Sequence, residues 1–118
     1  MTMDDIDIVE INEAFAAQVL PSAKHLNIDL EKLNPNGGSI ALGHPFGMTG
    51  ARIMTTLIHG LQVADKEYGL ETMCVGGGQG MAMIIQRLVS QMRRSLRSAS
   101  PLAAERLLGF VAPCEPHI

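Results

Sequence analysis

The chain has 118 residues, 47% of them hydrophobic and only 3% aromatic, with nine Lys and Arg against twelve Asp and Glu for a net charge of −3. Aliphatic side chains and Met in that proportion can build one core, which excludes disorder as the main state, and the acidic balance offers no field to hold a nucleic-acid backbone. The two cysteines, Cys74 and Cys114, make neither a disulfide framework nor a zinc spacing, and no apolar run approaches the ~20 residues that span a bilayer, so a cytoplasmic protein with no metal and no membrane partner is expected.

In chain order, Ile6 and Ile8 alternate with Asp5 and Asp7 and lead into Val9 and Ile11, a strand pattern ending at Asn12. Phe15, Val19, Ala23 and Leu26 then recur at helical spacing, with Pro21 removing one backbone donor inside the helix. Residues 34–50 hold five glycines and two prolines, so an ordered loop or a short strand between turns is expected there, the kind of segment that often forms a site. Ile53, Met54, Leu57, Ile58 and Leu61 mark the buried stripe of a second helix reaching about Asp65. Leu70 to Val75 and Met81 to Ile85 read as two strands of a hairpin joined through Gly76, Gly77, Gly78, Gln79 and Gly80. The body is therefore β-α-loop-α-β-β. Residues 1–88 carry ten acidic and five basic side chains, whereas residues 89–118 carry two and four, with Arg93, Arg94 and Arg97 interleaved with serines before Pro101. That change marks a Ser/Arg-containing C-terminal extension, which ends in a short helical stripe from Ala104 to Val111.

The glycine-dense stretches do not meet the requirements of a phosphate cradle. After Gly38 to Gly43 come His44 and Pro45, where a Walker loop needs Lys and then Ser or Thr, and the run from Gly76 to Gly80 leads into a strand, where a dinucleotide turn needs a helix. Three reactive side chains instead stand at the ends of elements: Asn12 closes the first strand, His44 precedes the second helix, and Cys74 ends the third element. Strand ends of an α/β sheet and the loops beside them are where ligands meet the protein. Each residue alone has a structural explanation: Asn12 as a helix N-cap, His44 as a hydrogen-bonded loop residue, Cys74 as a small buried hydrophobe, and Phe15 as core.

Taken together they carry a resemblance. Asn12-Glu13-Ala14-Phe15, Gly43-His44-Pro45 and Cys74-Val75-Gly76 resemble, in that order, the Asn-Glu-Ala-Phe, Gly-His-Pro and Cys-x-Gly blocks in the C-terminal part of the thiolases, the acyl-CoA acetyltransferases and acyltransferases. Asn34 to Ile40, Gly47 to Arg52 and Gly77 to Met81 are similar to the flanking sequences, so the likeness covers about residues 4 to 88. It implies an α/β, thiolase-like fold, of which this chain holds part of the C-terminal half. The activity implied is cleavage of a 3-ketoacyl-CoA by coenzyme A in fatty-acid β-oxidation, or the reverse Claisen condensation, with coenzyme A as co-substrate and no permanently bound cofactor.

Residue roles follow from the same likeness. His44 would activate a cysteine nucleophile, since imidazole exchanges protons near neutral pH, and Cys74 would shuttle a proton at the substrate α-carbon. Asn12 would hold a water that polarises the thioester oxygen together with His44, the backbone N–H of Gly76 would donate to a second oxyanion hole, and Phe15 would line the channel for the pantetheine arm.

The resemblance also sets out what the chain does not carry. Thiolases resemble a duplicated fold of two β-α-β-α-β-α-β-β halves, and the nucleophilic cysteine belongs to the N-terminal half; neither Cys74 nor Cys114 matches its context. The isolated chain is thus expected to be inactive and to need an acyl-CoA substrate together with that missing half or a second copy of itself. Unpaired strand edges and an exposed apolar sheet face are expected too. Two other readings are a non-catalytic, truncated interaction module and a fragment of a related ketoacyl or hydroxymethylglutaryl-CoA synthase. Cys74 weighs against the second, because those relatives resemble a two-histidine arrangement.

Overall fold

A computed structural model describes residues 1–88, of which Met1–Arg87 form one compact unit; the expected extension, with its arginine cluster, its short helix and Cys114, lies outside the described residues. After a 3-10 turn at Met3–Asp5 come strand β1 (Ile8–Ile11), helices α1 (Ala16–His25), α2 (Ser39–Leu42) and α3 (Thr49–Val63), and strands β2 (Tyr68–Gly76) and β3 (Gln79–Gln86). The three strands form one sheet in the order β1-β2-β3, with β1 parallel to β2 and β2 antiparallel to β3.

All four residues of β1 are buried, which the alternating sequence pattern did not require. Its two faces nevertheless keep the period of 2 that a strand imposes. Val9 and Ile11 pack with Ile6, Ile28 and the α1 residues Val19 and Ala23, while Ile8 packs on Leu57 and Leu61 of α3. A sheet covered on both faces in this way is what a parallel β-α-β connection produces. Asn12, one step beyond the strand, continues from the side of Ile8 and Glu10.

The expected unpaired edges are found on only one side of the sheet. Along the outer edge of β1 the Val9 N–H donates to the Lys32 carbonyl at 2.9 Å and the Asn34 N–H donates to the Val9 carbonyl at 2.8 Å. The Asn34 side chain extends this pairing: Oδ1 accepts from the Ile11 N–H at 2.9 Å and Nδ2 donates to the Ile11 carbonyl at 3.0 Å. One amide thus imitates a neighbouring strand. On the other side, β3 pairs with β2 alone among the described residues and leaves Met81, Met83 and Ile84 49–62% exposed.

Residues 34–50 also depart from the loop or strand expected of them, because α2 forms one helical turn there. The carboxylate of Glu13 explains it: Oε2 accepts from the Ile40 N–H at 2.9 Å, near the start of α2, and Oε1 accepts from Asn34 Nδ2 at 3.0 Å. An anion at free N–H groups favours a helix start, and the donor-rich end lacks a cap of its own. A Cβ on Gly38 would overlap that carboxylate and push Glu13 off the groups it binds.

Candidate active site

Asn12 stands at the end of β1 as expected, whereas His44 lies in the loop between α2 and α3 and Cys74 lies within β2, which runs on to Gly76. Asn12 follows β1 and is tied to the next strand by its backbone, the N–H donating to the Thr72 carbonyl at 3.0 Å. Its side chain is 2% exposed and is no helix N-cap; the residue preceding α1 in extended conformation is Phe15. The Asn12 amide is committed elsewhere, with Oδ1 accepting from Ser39 Oγ at 2.5 Å and Nδ2 3.4 Å from His44 Nε2. Strand and glycine-rich loop, thirty-two positions apart, meet at this contact.

His44 is half-buried between α2 and α3. Its Nδ1 lies 2.7 Å from Thr49 Oγ1, which itself donates to the Pro45 carbonyl at 2.9 Å, and its ring meets Phe46 edge-on at 5.1 Å. Thr49 is the first residue of α3 and 1% exposed, so the ring is anchored to a fixed helix start.

Cys74 is exposed with a free thiol, contrary to the reading of it as a small buried hydrophobe. It stands at a β-bulge: the β2–β3 register runs Cys74↔Gly80 and then Gly76↔Gln79, so Val75 has no partner. A bulge re-aims the side chains beside it. Gly76, Gly77 and Gly78 follow with φ of +94°, +61° and +73°, a left-handed run that only glycine adopts freely. A Cβ on any of the three would face open space, so conformation, not crowding, demands glycine here.

A cleft of about 420 Å³ has Asn12, Thr72, Cys74 and Gly78 among its lining. Asn12 and Cys74 therefore share a cavity wall, and His44, outside that lining, contacts the Asn12 amide. Neither Gly76 nor Phe15 is in that lining. Phe15 is 75% exposed and packs in no core, which corrects the core reading of it.

Sequence reasoning missed the polar residues beneath these groups. Arg52, on α3, donates from Nη2 to Ser39 Oγ at 2.9 Å. Glu10 is 1% exposed and its carboxylate has no hydrogen-bond partner among the described residues. Burial pushes its pKa up to about 7, against the opposing pull of the Arg52 guanidinium and with a further push from Glu13 and Glu71. Glu71 is also raised, by burial. The available signals were a lone acid inside the apolar run from Ile8 to Ile11, and a serine directly after Gly37 and Gly38.

Comparison with known proteins decides which family builds this arrangement. The family model described as "Thiolase, C-terminal domain" matches residues 1–87. The chain belongs to the thiolase family. This thiolase chain is 59% identical over 88 residues to the acetyl-CoA acetyltransferase of Escherichia coli strain K12, covering 75% of the chain and 22% of that protein. It is 58% identical over 90 residues to a 3-ketoacyl-CoA thiolase of Vibrio cholerae, covering 74% and 23%. Among solved structures, the Bacillus anthracis acetyl-CoA acetyltransferase superposes with a TM-score of 0.70 at 52% identity, over 72% of this chain and 22% of that one. Human mitochondrial 3-ketoacyl-CoA thiolase in complex with CoA gives 0.70 at 49%, over 73% and 22%. The thiolase chain thus spans about a fifth of the length of these relatives, and its sheet and helices are part of the thiolase fold. Among the described residues no helix is long and apolar enough to cross a membrane.

Proposed function

We propose that this chain supplies the acid/base half of a thiolase active site, acting on a 3-ketoacyl-CoA and coenzyme A once an N-terminal half provides the nucleophilic cysteine. The observation that carries this is the Asn12 amide, 3.4 Å from His44 Nε2 and on the same cleft wall as the exposed Cys74 thiol. Asn12 and Cys74 border one accessible cleft and His44 lies behind it against the Asn12 amide, an arrangement that supports general acid/base chemistry.

In the cleavage direction, His44 takes the proton of the partner's thiol and the resulting thiolate attacks the 3-keto carbon. The bond between the second and third carbons then breaks, its electron pair leaves as the enolate of acetyl-CoA, and the Cys74 thiol protonates the α-carbon. The Cys74 thiolate regains its proton from incoming coenzyme A, whose sulfur attacks the acyl-thioester; the bond to the nucleophilic cysteine breaks, the shortened acyl-CoA leaves, and that cysteine takes back the proton held on His44. Asn12 and His44 orient a water at one thioester oxygen, and the Gly76 N–H donates to another. Exposed Phe15 borders the pantetheine arm. The likeness to proteins named 3-ketoacyl-CoA thiolase supports a place in fatty-acid breakdown. The change in charge and composition after Leu88 supports residues 1–88 as the part that belongs to the thiolase C-terminal domain, with the Ser/Arg-containing sequence 89–118 outside it.

The test mixes the purified chain with a separately expressed N-terminal portion of a thiolase and follows acetyl-CoA release from a 3-ketoacyl-CoA plus coenzyme A. The chain alone should be silent and the complex should turn over. A stable complex without turnover, or substantial turnover by the chain alone, would contradict the proposal.

A further inference from the structure

The hydrogen bonds around His44 have a direction. Arg52 is a permanent donor with no acceptor atoms, so its Nη2–H can only donate to Ser39 Oγ, at 2.9 Å. Ser39 spends its own proton on Asn12 Oδ1. The amide's oxygen is thereby fixed on the Ser39 side and its Nδ2–H₂ is turned toward His44 Nε2. From the opposite end, Thr49 Oγ1 donates to the Pro45 carbonyl at 2.9 Å; while its single proton is used there, its lone pairs meet His44 Nδ1 at 2.7 Å and the hydrogen of that contact comes from Nδ1.

Both ends give the same result for the neutral ring: hydrogen on Nδ1, lone pair on Nε2. Reversing the Asn12 amide would set its oxygen against that lone pair and bring a second donor onto Ser39 Oγ, whose proton would then lose its acceptor. Ser39, Asn12 and Thr49 are all at least nine-tenths buried, so water cannot readily repair a mismatch.

We infer that Arg52 and Ser39 are positioning residues that, through the Asn12 amide and with Thr49 at the far end, hold His44 in the Nδ1–H tautomer with its Nε2 lone pair available as the base. The inference rests on the proposed role of His44 as proton acceptor, and gives that role its tautomer. A base needs a bare nitrogen facing the reacting thiol, and the 3.4 Å contact from Asn12 is long enough for an incoming S–H to displace it.

The experiment is long-range ¹H–¹⁵N correlation of the imidazoles in the full ¹⁵N-labelled chain at a pH where His44 is neutral, which reports which nitrogen holds hydrogen without any need for turnover. Wild type should show His44 with hydrogen on Nδ1. Ser39→Ala, which disconnects Arg52 from the amide, should move the tautomer ratio about tenfold toward Nε2–H, the size of one hydrogen bond. Asn12→Asp, which puts an acceptor where the donor stood, should give Nε2–H even if Ser39→Ala does not fold. The exposed His25 and His59 should not change in either variant. Nε2–H in wild type, or a ratio unmoved in the variants that fold, would overturn the inference. A silent complex with the correct tautomer would sink the functional proposal alone, and an active complex with the wrong tautomer would sink only this one.

Discussion

Glu10 is a buried carboxylate whose folded-state pKa, about 7, stands above an ordinary value of 4.5. Between those two values the folded chain binds more protons than the unfolded one, so stability falls as pH rises from about 4.5 to 7 and stays low above it. Glu10→Gln should therefore be more stable than wild type at pH 8 by roughly 1–3 kcal/mol, with the gap closing below pH 4.5. Urea melts at the two pH values check this, and a variant no more stable than wild type at pH 8 would contradict it. At the same scale, His44→Ala and Cys74→Ala should each slow the reconstituted reaction by about 10²-fold or more, as loss of a general acid/base does, read from steady-state rates. Near wild-type turnover would remove that residue from the mechanism. The motif residues were legible because Asn12-Glu13-Ala14-Phe15, Gly43-His44-Pro45 and Cys74-Val75-Gly76 occur together in the order of a known family, although each residue alone had a structural explanation. Ser39, Arg52 and Glu10 were not, because their role is created by contact across the fold: nothing in an isolated arginine on α3 marks it as the donor to a serine thirteen positions earlier.

Among the elements, α3 against the sheet is the most demanding packing. Leu57 has no exposed surface, and a Cβ on Gly69 of β2 would come within 2.7 Å of its Cδ1. Leu57→Ala should cost about 2–5 kcal/mol by opening a cavity, and Gly69→Ala about 1–3 kcal/mol by overpacking. The double variant should cost less than the sum, because the new methyl occupies the space left by the leucine. Thermal melts of the four proteins read this coupling, and strict additivity would show that the two residues do not share that space. In the hairpin, Gly77→Val should cost about 1–2 kcal/mol through its +61° φ alone, since a Cβ there meets nothing. Periodicity made α3 and the hairpin readable before any coordinates, and it failed at α2. One helical turn between glycines has too few residues to show a period, and its stabilising carboxylate comes from Glu13, twenty-seven positions earlier.

For the whole molecule, the uneven treatment of the two sheet edges matters most. Asn34 and the backbone of Lys32 to Asn34 close the β1 edge, while β3 leaves its outer edge and the side chains of Met81, Met83 and Ile84 open among the described residues. Partial self-association of the chain is expected, and adding an N-terminal thiolase portion should replace it with a defined complex, as sedimentation would detect. A monodisperse monomer at high concentration that ignores the added portion would contradict this. That strands of the family's sheet would be missing was implied by the resemblance, which covers only part of one thiolase half. That one edge would be closed by a side-chain amide was not, since no pattern announces an asparagine standing in for a strand. The claim on which the rest depends is that Asn12, His44 and Cys74 serve one reacting centre. It is tested most directly by single-turnover thiolysis in the reconstituted complex with each alanine variant and the triple variant. Residues acting as a unit should leave the triple variant about as slow as the slowest single one. Rate losses that multiply across the three positions, or singles that barely slow the reaction, would contradict it.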